Sequence, residues 1–256
     1  MRRFFVLLIV LAATTLQAQR PTFDVATIKR NNSANEAAAV HGNGGRLEVV
    51  NNPLRNIIRN AWNLQSFQIV GGPSWIDSER WNILAKAEGN PGMQMMLMVQ
   101  NLLADRFRLV AHKETREMPI YALTFARADH SLGPKLHASA TDCQKEVSAA
   151  IARTGRVPGG PNSPLLCGIR SIPGHFELNA AALGSFARTL APLAGRSIVD
   201  KTGLTGVYDA ELTWNDSEEG PSLFTAIQEQ LGLKLESQRG PVDVLVIDSV
   251  EHPTED

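Results

Sequence analysis

The 256-residue sequence offers few groups capable of chemistry, and they are dispersed. Asp77 and Glu79 are two residues apart after Trp75. They are the right types for a general acid and a general base, but a turn before a strand is the natural place for acidic residues and is the favoured reading. His112-Lys113-Glu114 has the His-x-Glu order of zinc deaminases. The Pro-Cys-x-x-Cys element that would complete such a centre is missing, and an alternating strand explains the triplet. The six histidines are His41, His112, His130, His137, His175 and His252, and no two have metal-ligand spacing on one expected element. There is no Gly-x-Ser-x-Gly elbow, no Gly-x-x-x-x-Gly-Lys phosphate loop and no His-Glu-x-x-His. The sequence therefore assigns no catalytic residue, no metal site and no cofactor.

Two loops are better candidates. Gly71-Gly72-Pro73-Ser74-Trp75 and Asp200-Lys201-Thr202-Gly203-Leu204-Thr205-Gly206 each follow a short apolar strand pattern. Glycines let a backbone approach a ligand or another chain, and an exposed tryptophan is a common contact anchor. The candidate binding residues are Gly71, Gly72, Trp75, Asp200, Thr202 and Gly203, with tight β–β connections as the competing reading. Met93, Met95, Met96 and Met98 form a second cluster. It fits core filling better than an adaptable surface.

The elements that must position these groups recur along the chain. Arg46-Leu47-Glu48-Val49 alternates as a strand does, and His175-Phe176-Glu177-Leu178 repeats the pattern 129 residues later. Asn52 and Pro53 then read as a cap and a first helical residue. Leu54, Ile57, Ile58 and Ala61 form one helical face, matched by Leu183, Phe186, Ala187 and Leu190 at the same offset. Ile69-Val70 matches Ile198-Val199, and Trp81-Asn82-Ile83 matches Tyr208-Asp209-Ala210. Val99, Leu103 and Phe107 match Leu223, Ile227 and Leu231, with Gly232 as a helix stop. Pro119-Ile120 and Leu123 match Pro241-Val242 and Leu245. The expected fold is α+β: a duplicated β-α-β-β-α-β-β unit, with mixed or antiparallel sheets and helices on one face. Residues 109–114 with 120–125, and 234–238 with 242–247, are expected to close each unit as a hairpin. The units span residues 19–127, with an extra strand Phe23–Ile28, and 174–256.

Between them, residues 128–173 lose periodicity and contain turn formers such as Pro158-Gly159-Gly160-Pro161. This reads as a Gly/Pro-rich insert or surface excursion. Residues 1–18 read as a secretory leader, with Arg2-Arg3, an apolar Phe4–Ala13 core and cleavage after Ala18; an uncleaved anchor is the alternative. No later segment has the length and apolarity of a membrane span. Export makes a Cys143–Cys167 disulfide the favoured use of the two cysteines, ahead of a metal site or a free thiol. Closing that loop would stabilise by about 3–4 kcal/mol in the chain-entropy model. A net charge of −1 argues against nucleic acid or an anionic membrane as partner.

Several segments stand in a distinctive order: Phe23–Lys29, Gly71–Trp75, Leu102–Phe107, Asp200–Asp209 and Gln230–Glu236. Together they resemble a large paralogous family of exported proteins of unknown function, best known from soil acidobacteria of the Solibacter type. That resemblance implies export and a small α/β-type fold, and brings no activity or catalytic residue. Each half, most clearly Phe176–Ile247, is also similar in element order to the short periplasmic domain at the N-terminus of secretins and TonB-dependent transducers. That domain is a contact and signalling module. The expected function is a non-catalytic periplasmic or secreted binding, interaction or sensing module, with an envelope protein or a small ligand as partner. The alternatives are a hydrolase with its cleft between two lobes, drawing on Asp77, His112, Asp200 or Asp209, and a structural envelope protein.

Overall fold

The computed structural model describes residues 20–33, 37–156, 163–215 and 220–254. The expected leader, its cleavage point at Ala18 and the turn residues 158–161 lie outside them. The chain divides into two compact units. Unit 1 takes the described parts of Met1–Leu64, Gly72–Val110 and Ile247–Asp256; unit 2 takes those of Gln65–Gly71 and Ala111–Val246.

In unit 1, β1 (Val25–Asn31), β2 (Ala39–Asn43), β3 (Arg46–Pro53) and β5 (Arg80–Lys86) form a first sheet in the order β1-β5-β3-β2. All three pairings are antiparallel. Alternation along β3 and β5 buries Leu47, Val49, Trp81, Ile83 and Ala85 on one face. α1 (Leu54–Ala61) follows β3 without a loop and buries the expected Leu54, Ile57, Ile58 and Ala61. It packs on β3 and on α3 (Gln94–Arg106), which contributes Val99, Leu102 and Leu103. The helix cap is Pro53, one residue later than the sequence suggested. Asn52 is buried instead, and its amide donates to the carbonyls of Ala39 and Val50, tying β2 to β3.

In unit 2, β7 (Leu136–Ala138), β8 (Gly168–Ile172), β9 (His175–Ala181) and β11 (Tyr208–Thr213) form a sheet in the order β7-β11-β9-β8. α5 (Leu183–Ala194) follows β9 and buries the expected Leu183, Phe186, Ala187 and Leu190. α6 (Leu223–Ala226) continues as a π-helical turn, Ile227–Leu231. The turn stops at Gly232, whose φ of 70° is the left-handed conformation that a helix stop uses. The backbone of Gly133 and the preceding residues lies so close that a Cβ at 232 would meet it at 2.4 Å, which excludes any side chain there. A second sheet of this unit has the order β10-β6-β12-β4, with β6 (Val110–Phe125) and β12 (Leu233–Ser249) at its centre and β4 (Ile69–Gly71) and β10 (Ile198–Asp200) at its edges. β10 runs parallel to β6 through Ile198↔Tyr121 and Asp200↔Leu123.

The closing hairpins do not form. Each is one long strand, β6 (Val110–Phe125) and β12 (Leu233–Ser249), neighbours in this sheet. Pro119 and Gly240-Pro241 looked like turn signals, but both stretches stay extended because each finds its partners on the other strand. Thr115 Oγ1 donates to Asp243 Oδ1 at 2.7 Å, and Arg239 donates to the Glu117 carbonyl at 2.7 Å. Within 128–173, read as an insert, the chain forms β7, β8 and α4 (Cys143–Thr154). Asp142 caps α4 by accepting from Lys145 N–H, and Gly155 ends it. The Cys143–Cys167 disulfide is formed, with Cα atoms 5.8 Å apart, and ties α4 to the start of β8.

The step from strand to helix is made in the same way twice. Asn51, before α1, and Ala180, before α5, have φ of 50° and 47°, the left-handed region that asparagine tolerates and that is costly for alanine. Both lie where the strand register shifts as at a β-bulge. Their displaced N–H groups are accepted by a side chain at the start of the neighbouring strand: Asn82 Oδ1 takes Asn51 N–H at 2.8 Å, and Asp209 Oδ1 takes Ala180 N–H at 2.7 Å.

Two expected outcomes follow from this arrangement. Asp209→Ala leaves a buried N–H without its acceptor and should lower stability by about 1–3 kcal/mol. Asp209→Asn keeps the acceptor, as Asn82 does, and should stay close to wild type; denaturant midpoints of the two variants decide. Replacing both cysteines by alanine should cost about 3 kcal/mol for a closed loop of this length. Circular dichroism at low denaturant should then show loss of α4 with the sheets retained.

Candidate functional site

The first candidate loop starts at Gly71, the end of β4, with φ of 80°. Gly72 follows at φ 84°, and a Cβ there would meet Ile76 Cδ1 at 2.6 Å and Ile247 Cδ1 at 3.2 Å. Glycine is thus required at 72 by conformation and by space. The loop feeds α2 (Trp75–Ser78), a single turn that buries Ile76 and leaves Trp75 half-buried.

Trp75 is one wall of an aromatic cluster. Its indole stacks on the His252 imidazole, with centroids 4.1 Å apart and planes 25° apart, and meets Trp81 edge-on at 6.4 Å. Trp81 meets Phe107 edge-on at 5.3 Å. Trp81 is 1% exposed, and its Nε1 has no acceptor among the described residues. Glu79 follows α2 directly; its carboxylate lies 2.9 Å from His252 Nε2 and 3.1 Å from Arg30 Nη2. The side chain of Glu79 is only 17% exposed, so the negative charge is largely removed from water and these two partners compensate it.

His252 is delivered by the segment that leaves β12. Ile247 is buried beside Gly72. Glu251 N–H donates to the Phe107 carbonyl at 2.8 Å. Pro253 is buried, and Arg106 reaches the Thr254 carbonyl at 3.5 Å while donating to Ala26 at 3.3 Å. Residues 250–254 thus lie as an irregular strap against the aromatic cluster of unit 1. Sequence reasoning named Trp75, Asp77 and Glu79 but missed His252 and Arg30. The only available signal was their type, because the stack joins positions far apart in the chain.

The other polar candidates are engaged locally. Asp77 forms a two-point pair with Arg55, at 2.5 and 3.1 Å. Asp200 Oδ1 accepts from Thr202 N–H at 3.0 Å and from Thr202 Oγ1 at 2.7 Å, while Thr202 Oγ1 accepts from Leu204 N–H. With Gly203 at φ 72°, that is the chemistry of a self-contained turn. Gly71 and Asp200 end opposite edge strands of one sheet, with β6 and β12 between them, so ordinary strand spacing separates them by about 14 Å. Glu114 bonds to Arg116, which holds its carboxyl below the usual carboxylate range, and lies 3.4 Å from His112. It is an ionised acceptor on an exposed strand. Asp209 serves the bulge described above. Of the methionines, Met98 is buried, whereas Met93 and Met96 are exposed.

A shallow concavity of about 340 Å³ lies on the β7-β11-β9-β8 sheet, among Lys135, His137, His175, Glu177, Asp209 and Glu211. Lys135 Nζ bonds to Glu211 at 2.7 Å and holds its carboxyl below the ordinary value. Among the described residues, no three His, Cys, Asp or Glu side chains are arranged to hold a metal ion. No helix among them is long and apolar enough to cross a membrane.

No curated protein and no solved structure matches the chain. Residues 55–250 match the family described as Protein of unknown function (DUF3738), which covers most of the chain and both units. With the fold and its aromatic site in view, the chain belongs to the DUF3738 family of proteins of unknown function.

Proposed function

We propose that this protein is an exported binding module that acts by contact, and that the surface of unit 1 around Trp75 is where it makes contact. The observation that carries the reading is the aromatic cluster itself. A partly exposed indole stands on a one-turn helix that follows a Gly-Gly turn packed against Ile76 and Ile247. A half-buried carboxylate lies at its edge. Rigid aromatic anchors next to a desolvated charge are the usual composition of a protein contact site. The acidic residues that a hydrolase would need are instead committed to ion pairs and turns within their own units.

Export is supported by the leader-like first eighteen residues and by the use of both cysteines in one disulfide. Internal duplication is part of the same proposal. It is supported by the matching strand orders β1-β5-β3-β2 and β7-β11-β9-β8 and by the paired bulges at Asn51 and Ala180. The likeness of each half to the short periplasmic domain of secretins and TonB-dependent transducers supports a contact role as well.

The test is capture from a solubilised cell-envelope fraction with tagged wild-type chain and Trp75→Ala. The wild type should retain a partner or a small ligand that the variant loses by at least about tenfold, the scale expected for an aromatic hot spot. Equal retention by both chains, or none by either, removes the support for this reading.

A further inference from the structure

We propose that residues 250–254 are a removable cover that occupies, within the same chain, the place of an extended peptide from a partner. The proposal rests on the contact reading of Trp75 and specifies what binds there. The strap displays the chemistry of its replacement. Its backbone offers an N–H to the Phe107 carbonyl at 2.8 Å and a carbonyl to the Arg106 guanidinium at 3.5 Å. Its one planar ring lies flat on Trp75 and reaches the Glu79 carboxylate with a ring nitrogen at 2.9 Å. The next residue, Pro253, is buried. The site therefore selects an extended segment with a planar, N–H-bearing side chain, histidine or arginine, directly before proline. The indole face suits either ring, and the Glu79 carboxylate can accept from a ring or guanidinium N–H of either.

The strap is built to come away. Among the described residues it has one short backbone hydrogen bond, and its second backbone contact is at the limit of hydrogen-bond length. Half of the His252 side chain stays in water, and Arg30 remains beside Glu79 when the imidazole leaves, so the carboxylate keeps one partner. Against these stands the ordering entropy of five residues. Segments with so few protected contacts open far more often than a domain core does. Beneath the strap, Trp81 holds a buried indole N–H without an acceptor among the described residues. A bound segment that enters more deeply than the strap would supply that acceptor.

The experiment uses the full chain and a synthetic peptide of residues Asp248–Thr254 as probe. His252→Ala weakens the internal cover without touching the site, so this chain should bind the peptide at least tenfold more tightly than wild type, read by calorimetry and tryptophan emission. Adding Trp75→Ala or Glu79→Gln to it should remove that gain. Equal affinity of wild type and His252→Ala, or a gain that survives Trp75→Ala, overturns the proposal. A dimer that exchanges its straps, seen by light scattering, overturns it too, because the tail would then be an assembly element. If His252→Ala fails to fold, amide exchange on the wild type decides. The Glu251 N–H should exchange at least a hundredfold faster than that of Ile83, and equal protection would mark the strap as a fixed part of the unit. The titration needs no external partner. It can therefore succeed where envelope capture fails, and its failure leaves the contact reading with a permanent tail.

Discussion

A strand that passes directly into a helix must turn its chain at once while keeping its apolar face on the core, and much of this fold follows from how that is done. In unit 1 the alternation of β3 ends at Asn51, where one residue in the left-handed region shifts the register. Pro53 then ends the strand and caps α1 with no intervening loop. The stripe Leu54, Ile57, Ile58 and Ala61 thereby lands on the face that already carries Leu47 and Val49. A positive φ costs a residue with a Cβ about 1–2 kcal/mol, and the freed N–H would cost a comparable amount if left alone. The side-chain oxygen of Asn82 offsets the second cost. Asp209 does the same for Ala180 before α5. The polar residue that opens β5 or β11 is thus fixed by the backbone of its neighbour, and it is unavailable for chemistry.

What was legible in the sequence was what is locally periodic. Both first helices and the strands before them could be read, because their burial repeats every few residues and depends on one covered face. The long strands were not legible. Pro119 and Gly240 are turn formers by type, and only the neighbouring strand reveals that the chain stays extended there; a Cβ at 240 would meet Ile120 Cδ1 at 2.6 Å, so that side chain would have to shift. α4 escaped for the opposite reason. It buries only Ala150 and so has no apolar stripe, although its capping residues Asp142 and Gly155 were present to be read.

The same limit separates residue type from residue role at the site. Asp77 and Glu79 look alike in sequence and stand two positions apart, yet one is locked to Arg55 and the other joins Arg30 to His252. Asp200 heads the most conspicuous polar loop and uses its carboxylate to hold that loop's own turn. Local pattern could single out Trp75 as an aromatic next to glycines. It could not supply the imidazole that lies on it, because that contact exists only once the chain end has been led back to α2.

This contact changes what affinity means for the unit. A surface that is covered by its own chain for part of the time binds an outside segment with its intrinsic strength reduced by the fraction of time it stands open. The strap and the partner compete for one indole face and one carboxylate, so a substitution in the strap and a substitution in the partner act on the same equilibrium from opposite sides. Glu79 therefore holds an ambiguous position. Removing its charge weakens the cover and the ligand together, and the net effect on binding is smaller than either contact alone would suggest. His252 has no such ambiguity, since it belongs to the cover only. Of the residues around Trp75, it is the one whose loss separates opening from recognition.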